Sequence, residues 1–160
     1  MVKNQIATFG AGCFWGIQLV FSELKGVIST EVGYMGGNEN YKNLSYEEVC
    51  TNETRHAEVV QVKYDPTKII YKKLLDVFWE NHDPTTLNRQ GPDIGTQYRS
   101  VIFYHTEQQK EEALKSKDGT QRKLGPEVQV VTEVIKAGKF YKAEEYHQNY
   151  LKKRGANVCH

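Results

Sequence analysis

The sequence predicts an α+β fold, with a ferredoxin-like split βαβ sandwich core and a C-terminal helix–strand–helix extension. Three observations carry this expectation. Short β-branched runs and longer amphipathic runs follow one another as strand–helix–strand–strand–helix–strand, the split βαβ order. A charged helical stretch, one more strand and a last helical stretch come after them. The 160 residues suffice for one core, and no linker, repeat or low-complexity tract divides them, so residues 1–160 are expected to be a single domain.

Each element has its own signal. Residues 5–9 form an apolar run that ends in small residues, the first strand. Residues 13–24 follow with Ile17, Val20, Phe21 and Leu24 at helical spacing. Residues 27–34 are rich in β-branched side chains and stop at the turn signal Gly36-Gly37-Asn38. Ser45 and Glu48 fit a capping box for one short helix through Cys50. Residues 56–64 alternate as a third strand that ends at Asp65-Pro66, and 70–81 are amphipathic. A long irregular stretch, 82–98, carries Pro84, Gly91, Pro92 and Gly95; such loops inside compact domains are usually functional. Residues 99–104 read as a fourth strand and 107–124 as a charged helix interrupted near Gly119. Residues 128–134 read as a strand and 143–154 as a final helix, leaving 155–160 as a short tail.

Composition excludes several function classes. Lys and Arg number 21 against 20 Asp and Glu, so no strong field invites nucleic acid or a membrane surface. The apolar stretches are too short to span a bilayer, and the first residues hold no apolar targeting core. A cytoplasmic location is therefore expected, and the chain is taken to be a monomer. Three cysteines, an odd count without an export signal, argue against a disulfide framework and favour nucleophilic or redox chemistry.

The chemistry gathers around Phe9-Gly10-Ala11-Gly12-Cys13-Phe14-Trp15-Gly16. A thiol there would open a helix, where unpaired N–H groups and the positive dipole end stabilise thiolate. Phe14 and Trp15 set aromatic faces beside it, which suits an apolar, uncharged substrate group. The competing reading is a buried structural cysteine. Gly10, Gly12 and Gly16 mimic a dinucleotide loop, but the third glycine comes one place late and the aromatics would block a pyrophosphate. His56-Ala57-Glu58 lacks the paired cysteines of a zinc deaminase, and no metal-ligand spacing occurs. Glu58 shares a strand face with Val60 and Val62, where a desolvated carboxyl would keep its proton and serve as a general acid; the alternative is a solvated strand-end glutamate. Asp93, Tyr98 and Arg99 lie in a turn-rich loop that offers either substrate contacts or only a fixed turn. His147 is either a core histidine or the base of a Cys13 dyad.

Several blocks are similar to the A-type peptide methionine sulfoxide reductases. They are Gly12-Cys13-Phe14-Trp15-Gly16, Gly33-Tyr34-x-Gly36-Gly37, Tyr46-Glu47-Glu48-Val49-Cys50, His56-Ala57-Glu58-Val59-Val60, the run from His82 to Ser100, and Glu145-Tyr146-His147-Gln148-x-Tyr150-Leu151. The resemblance implies reduction of methionine-S-sulfoxide, free or in proteins, to methionine. It implies Cys13 as nucleophile, Phe14 and Trp15 as the pocket for the methyl group, and Glu58 as the acid. Tyr46 and Tyr98 would hydrogen-bond the sulfoxide oxygen, with Asp93 supporting the site from behind. The Cys13 sulfenic acid would condense with a second thiol and thioredoxin would reduce the disulfide, with no bound cofactor. Cys159 is favoured as that thiol, Cys50 stands second, and an external thiol is the third route. Two other classes compete: a cysteine hydrolase using Cys13 and His147, and a non-enzymatic reader that binds sulfoxide peptides without turnover.

Overall fold

The computed structural model describes residues 3–40, 45–51 and 53–154. Its strands are β1 (Gln5–Ala11), β2 (Val27–Met35), β3 (Ala57–Tyr64), β4 (Arg89–Gln90), β5 (Asp93–Ile94), β6 (Ser100–Tyr104), β7 (Glu133–Lys136) and β8 (Tyr141–Lys142). The helices are α1 (Phe14–Ser22), α2 (Tyr46–Cys50), α3 (Tyr71–Glu80), α4 (Glu107–Leu124) and α5 (Tyr150–Arg154). Six strands form one mixed sheet in the order β7-β6-β1-β3-β2-β8, while β4 and β5 make a separate hairpin. The four inner strands pair antiparallel; β7 joins β6 in parallel and β8 joins β2 antiparallel.

The core follows from the pleat. On the helix face of β1, Phe9 is fully buried and stacks on Phe21 of α1 at 5.2 Å and on Tyr71 and Phe78 of α3 at 6.1 and 5.3 Å. One ring thus joins both helices to the central strand. Val60, Val62 and Tyr64 of β3 and Ile102 of β6 extend this face. The opposite face buries Met35, Ala57, Val59, Val101 and Phe103 beneath Ile135, Ala137 and Phe140. Glu58 falls on the helix face, as its alternation with Val60 and Val62 predicts.

The sheet register sets one row of residues level with one another. Tyr34 of β2 pairs with Glu58 of β3, and Ala11 of β1 pairs with Ser100 of β6. The β1–β3 register runs to Phe9 opposite Val60, so two residues further on Ala11 lies level with Glu58. The chain beyond Ala11 therefore leaves the sheet beside Glu58.

Several boundaries differ from expectation, each for a local reason. The predicted helix 143–154 is a single 3₁₀ turn, Glu145–His147, followed by the five-residue α5. Gln148 prevents continuity by pairing with the edge of β2: Val32 N donates to its Oε1 and its Nε2 donates to the Val32 carbonyl, both at 2.9 Å. Asn149 then takes φ +54°, and its N–H donates to Gln18 Oε1 at 2.7 Å. The predicted strand 128–134 begins only at Glu133, because Gln121 holds Val128 and Val130 through its side-chain amide and Val131 N donates to the Pro84 carbonyl. Helix α4 passes Gly119 without a break and stops at Gly125, φ +89°. The stretch 82–98 is not structureless: it folds back as the β4–β5 hairpin and a 3₁₀ turn, Thr96–Tyr98. The tail 155–160 lies outside the described residues.

Three histidines are held below their ordinary value of 6.5, with desolvation the leading cause: the buried His56 and His147, and His105, which hydrogen-bonds Thr8. His56 shows the structural use of a neutral ring. Gly37 N donates to its Nδ1 at 3.0 Å, so its Nε2, 2.9 Å from the Asn38 carbonyl, is the nitrogen that carries the proton. These rings stay neutral in the fold but take protons in the unfolded chain once pH falls below about 6.5. The unfolded state then binds more protons, so stability is expected to fall as pH drops from 7.5 to 5. Urea midpoints at the two pH values test this; equal midpoints would contradict it.

Candidate active site

Strand β1 ends at Ala11 and the chain must turn sharply into α1. Gly12 makes the turn at φ +93°, a region that side chains rarely occupy, and an added Cβ would stand 2.7 Å from Gln90 Cγ. Cys13 follows as the residue capping α1, half-buried, with its side chain at the helix's positive end. It caps the helix rather than sitting within its first turn.

The next amide reaches the sheet. Phe14 N donates to Glu58 Oε1 at 3.3 Å, and Glu58 is 1% exposed. The solvated strand-end reading of Glu58 therefore fails. Phe14 itself is buried, its ring 5.8 Å from that of Tyr34, 6.4 Å from Tyr46 and 5.2 Å from His147. Trp15 is half-buried and stacks on Tyr150 at 3.9 Å, nearly parallel. Its indole Nε1–H donates to His147 Nδ1 at 2.9 Å.

That last bond decides the role of His147. With Nδ1 accepting, the neutral ring carries its proton on Nε2. Nε2 is buried without a hydrogen-bond partner among the described residues. A cysteine–histidine dyad would require Cys13 on one of these nitrogens, so the hydrolase reading loses its base. The residue belongs to the 3₁₀ turn, not to a continuous helix 143–154, and is 1% exposed.

The phenols gather on the other side. Tyr46, on the first turn of α2, and Tyr98, in the 3₁₀ turn before β6, hydrogen-bond each other, and the charge of Glu58 reaches both. Burial pushes Tyr98 up to about 12, against the hydrogen bond with Tyr46, which lowers it. Burial first, then the bond to Tyr98, holds Tyr46 well above its ordinary range. Both therefore remain proton donors at any working pH. The predicted capping box of α2 is present, with Ser45 accepting from Glu48 N and Glu48 from Ser45 N.

Glu144 is a residue that sequence reasoning passed over, although it directly precedes the Glu145-Tyr146-His147 block. Its carboxylate accepts from Tyr34 Oη and from Tyr46 N, each at 3.2 Å, and so ties α2 to the sheet. Gln90 was also missed, and no sequence signal marks it: its side chain packs on Gly12 and binds both backbone groups of Asp83. Asp93 sits half-buried on β5, opposite Gln90, and its charge reaches Tyr98. Cys50 is exposed at the end of α2 and accepts from Gln97 Nε2 at 3.2 Å. Cys159 lies outside the described residues.

Cys13, Glu58, Phe14, Trp15, Tyr46 and Tyr98 thus gather at one end of the sheet. Among the described residues no group of three or more His, Cys, Asp or Glu is placed to hold a metal ion. A surface cavity of about 550 Å³ between α3 and α4, lined in part by Leu75, Trp79 and Ser116, contains none of the six.

The family model for peptide methionine sulfoxide reductase matches residues 5–160. Over 99% of its length the chain is 54% identical to a peptide methionine sulfoxide reductase of Methanothermobacter thermautotrophicus, covering 92% of that protein. It is 55% identical to peptide methionine sulfoxide reductase A2 of Arabidopsis thaliana, over 95% of this chain and 68% of the other. Among solved structures, reduced Mxr1 of Saccharomyces cerevisiae superposes with a TM-score of 0.90 at 39% identity, covering 98% of this chain and 89% of that one. Mxr1 in complex with Trx2 matches with a TM-score of 0.64 at 28% identity, covering 92% of this chain and 85% of that one.

Replacing Gly12 by Ala is expected to cost about 1–3 kcal/mol, from the backbone conformation and the collision with Gln90. The double variant G12A/Q90A should be destabilised by less than the sum of the two single variants, because the collision is shared. Urea unfolding of the four proteins checks this; strict additivity would show that Gln90 does not set the turn.

Proposed function

The chain belongs to the peptide methionine sulfoxide reductase family, and from that premise we propose that Cys13 is the thiol that attacks the sulfoxide sulfur. The protein is an enzyme that reduces methionine sulfoxide to methionine at the expense of thiols. The observation that carries the assignment is the bond from Phe14 N to Glu58 Oε1, which joins a buried carboxyl to the residue next to Cys13.

The chemistry follows from what a sulfoxide lacks. Its oxygen leaves only if protonated, because bare oxide is a very poor leaving group. In our reading the Cys13 thiolate forms a bond to the sulfoxide sulfur while Glu58 gives its proton to the oxygen. The S–O bond then breaks as the hydroxyl passes to the Cys13 sulfur, and the S–S bond breaks with its electron pair returning to the methionine sulfur. Tyr46 and Tyr98 share the developing charge through their hydroxyls. The products are methionine and a Cys13 sulfenic acid, the sulfoxide being reduced by two electrons and the cysteine oxidised by two. A positioned acid contributes about 10²–10⁴-fold, and one lost oxygen donor costs about 10²–10³. Phe14 and Trp15 would receive the substrate's methyl group, which selects the S epimer, free or in proteins, and Asp93 would support Tyr98 from β5. What supports the pocket is that Trp15 is fixed on both sides, by the Tyr150 stack and by His147.

Recycling is proposed in the same terms. The Cys159 thiol would attack the sulfenic sulfur, releasing water and leaving a Cys13–Cys159 disulfide, which thioredoxin would reduce to two thiols. The yeast neighbour captured with Trx2 supports a thioredoxin step. We read the enzyme as a cytoplasmic monomer, in the compartment where thioredoxin keeps thiols reduced. We likewise read the inner order β6-β1-β3-β2, with α1 and α3 as the connecting helices, as the ferredoxin-like split βαβ core.

With dithiothreitol and racemic free methionine sulfoxide, one epimer alone should be consumed, and C13S should consume neither. E58Q should slow sulfenic-acid formation by at least about a hundredfold in single-turnover quench experiments; a near-normal rate would remove Glu58 from the acid role. After one turnover without reductant, mass spectrometry should find Cys13 joined to Cys159. A Cys13–Cys50 link would move the resolving role to α2, and a persistent sulfenic acid would leave it to an external thiol.

A further inference from the structure

We propose that Tyr146 is a docking platform for a basic residue flanking methionine sulfoxide in a protein substrate. The inference rests on the reading of Phe14 and Trp15 as the pocket for the sulfoxide side chain. Tyr146 is 58% exposed, yet it is not an isolated surface ring. Its ring lies tilted against His147 at 4.0 Å, and His147 packs against Phe14, Trp15 and Tyr46 at 5.2, 5.6 and 4.7 Å. One continuous aromatic surface thus runs from the pocket wall out to solvent, with Tyr146 as its outer end.

Among the described residues, the carboxylates that act on that outer ring are Glu144 and Glu47. Both act on the Tyr146 phenol in the sense of negative charge. Glu47 is exposed on α2. Lys153, the cation that binds the neighbouring backbone, donates to the Glu145 carbonyl. An exposed tyrosine face in a negative field attracts an ammonium or guanidinium placed within about 6 Å of the ring. A methionine sulfoxide side chain that enters the pocket carries its neighbours' main chain to the mouth, since adjacent Cα atoms lie only about 3.8 Å apart. A lysine or arginine beside it is thereby delivered to Tyr146, and a glutamate there meets repulsion.

The test uses the full chain with dithiothreitol and three substrates: free L-methionine-S-sulfoxide and two acetylated pentapeptides with that residue at the centre, flanked by Lys in one and Glu in the other. The wild type is expected to favour the Lys peptide by about 3–10-fold in kcat/KM at low salt, through KM, and the preference should shrink at 0.5 M NaCl. Y146A should lose most of the preference while turning over the free sulfoxide normally. Y146F should keep it, and E47Q should narrow it. Equal kcat/KM for the two peptides in the wild type would overturn the proposal. So would a Y146A variant that slows all three substrates by one factor, which would make the ring a prop for His147. Free sulfoxide reports on the pocket alone: if the wild type ignores it and both peptides, the pocket reading fails, and the flanking site falls with it.

Discussion

The bond between the Phe14 amide and the Glu58 carboxyl ties three strands and a helix into one site. It exists because β1 lies between β3 and β6 and runs level with both. The register that sets Ala11 beside Glu58 also sets it beside Ser100, two residues after Tyr98. A shift of one residue in either pairing would turn Glu58 to the opposite face of the sheet, or carry Tyr98 away from it. The geometry of the site is therefore guarded by the core. Phe9, stacked between α1 and α3, cannot slide along the sheet without breaking contacts to both helices.

Around that bond the protein buries an unusual amount of polar matter. Tyr34, Glu58 and His147 are each at most 1% exposed, with Tyr46 packed against His147. Burial is tolerated because most of these groups bind one another: Tyr34 and the Tyr46 amide share Glu144, Tyr46 binds Tyr98, and Trp15 binds His147. Burial also fixes their protonation. Each phenol is driven upward, chiefly by desolvation, and each keeps its hydroxyl proton. A dry cluster of neutral donors beside one thiol suits a reaction whose difficulty lies in moving a proton to oxygen.

Much of this was legible in the sequence, because it follows from short-range periodicity. The alternation in β3 sets Glu58 beside Val60 and Val62, and Ser45 with Glu48 announces α2. The glycines around Cys13 mark a turn that only Gly12 can make. Sequence reasoning failed where a side chain stands in for backbone. Gln148 pairs with the edge of β2 as a strand would, and that contact breaks a helix which the pattern of 143–154 favours. Gln121 does the same between the end of α4 and β7, and Gln90 between its hairpin and Asp83. Glutamines in such roles carry no periodic signature, since a side chain paired with a backbone group follows no repeat: the partner is 116 residues away for Gln148, nine for Gln121 and seven for Gln90. Glu144 was missed for the same reason: its partners lie 110 and 98 residues away.

The position of Cys13 has an electrostatic consequence for the proposed chemistry. A thiolate at the start of α1 is favoured by the helix's positive end, yet Glu58 binds the very next amide. Two full negative charges at such close quarters in a desolvated site repel strongly, so the pair is best served by one proton between them. On the proposed chemistry the carboxyl bound to the neighbouring amide is the group placed to take the proton that sulfur gives up. The proton removed from the nucleophile is then the one that the sulfoxide oxygen needs. On this reading activation of the thiol and arming of the acid are one event, which ties the nucleophile and the acid to a single shared proton.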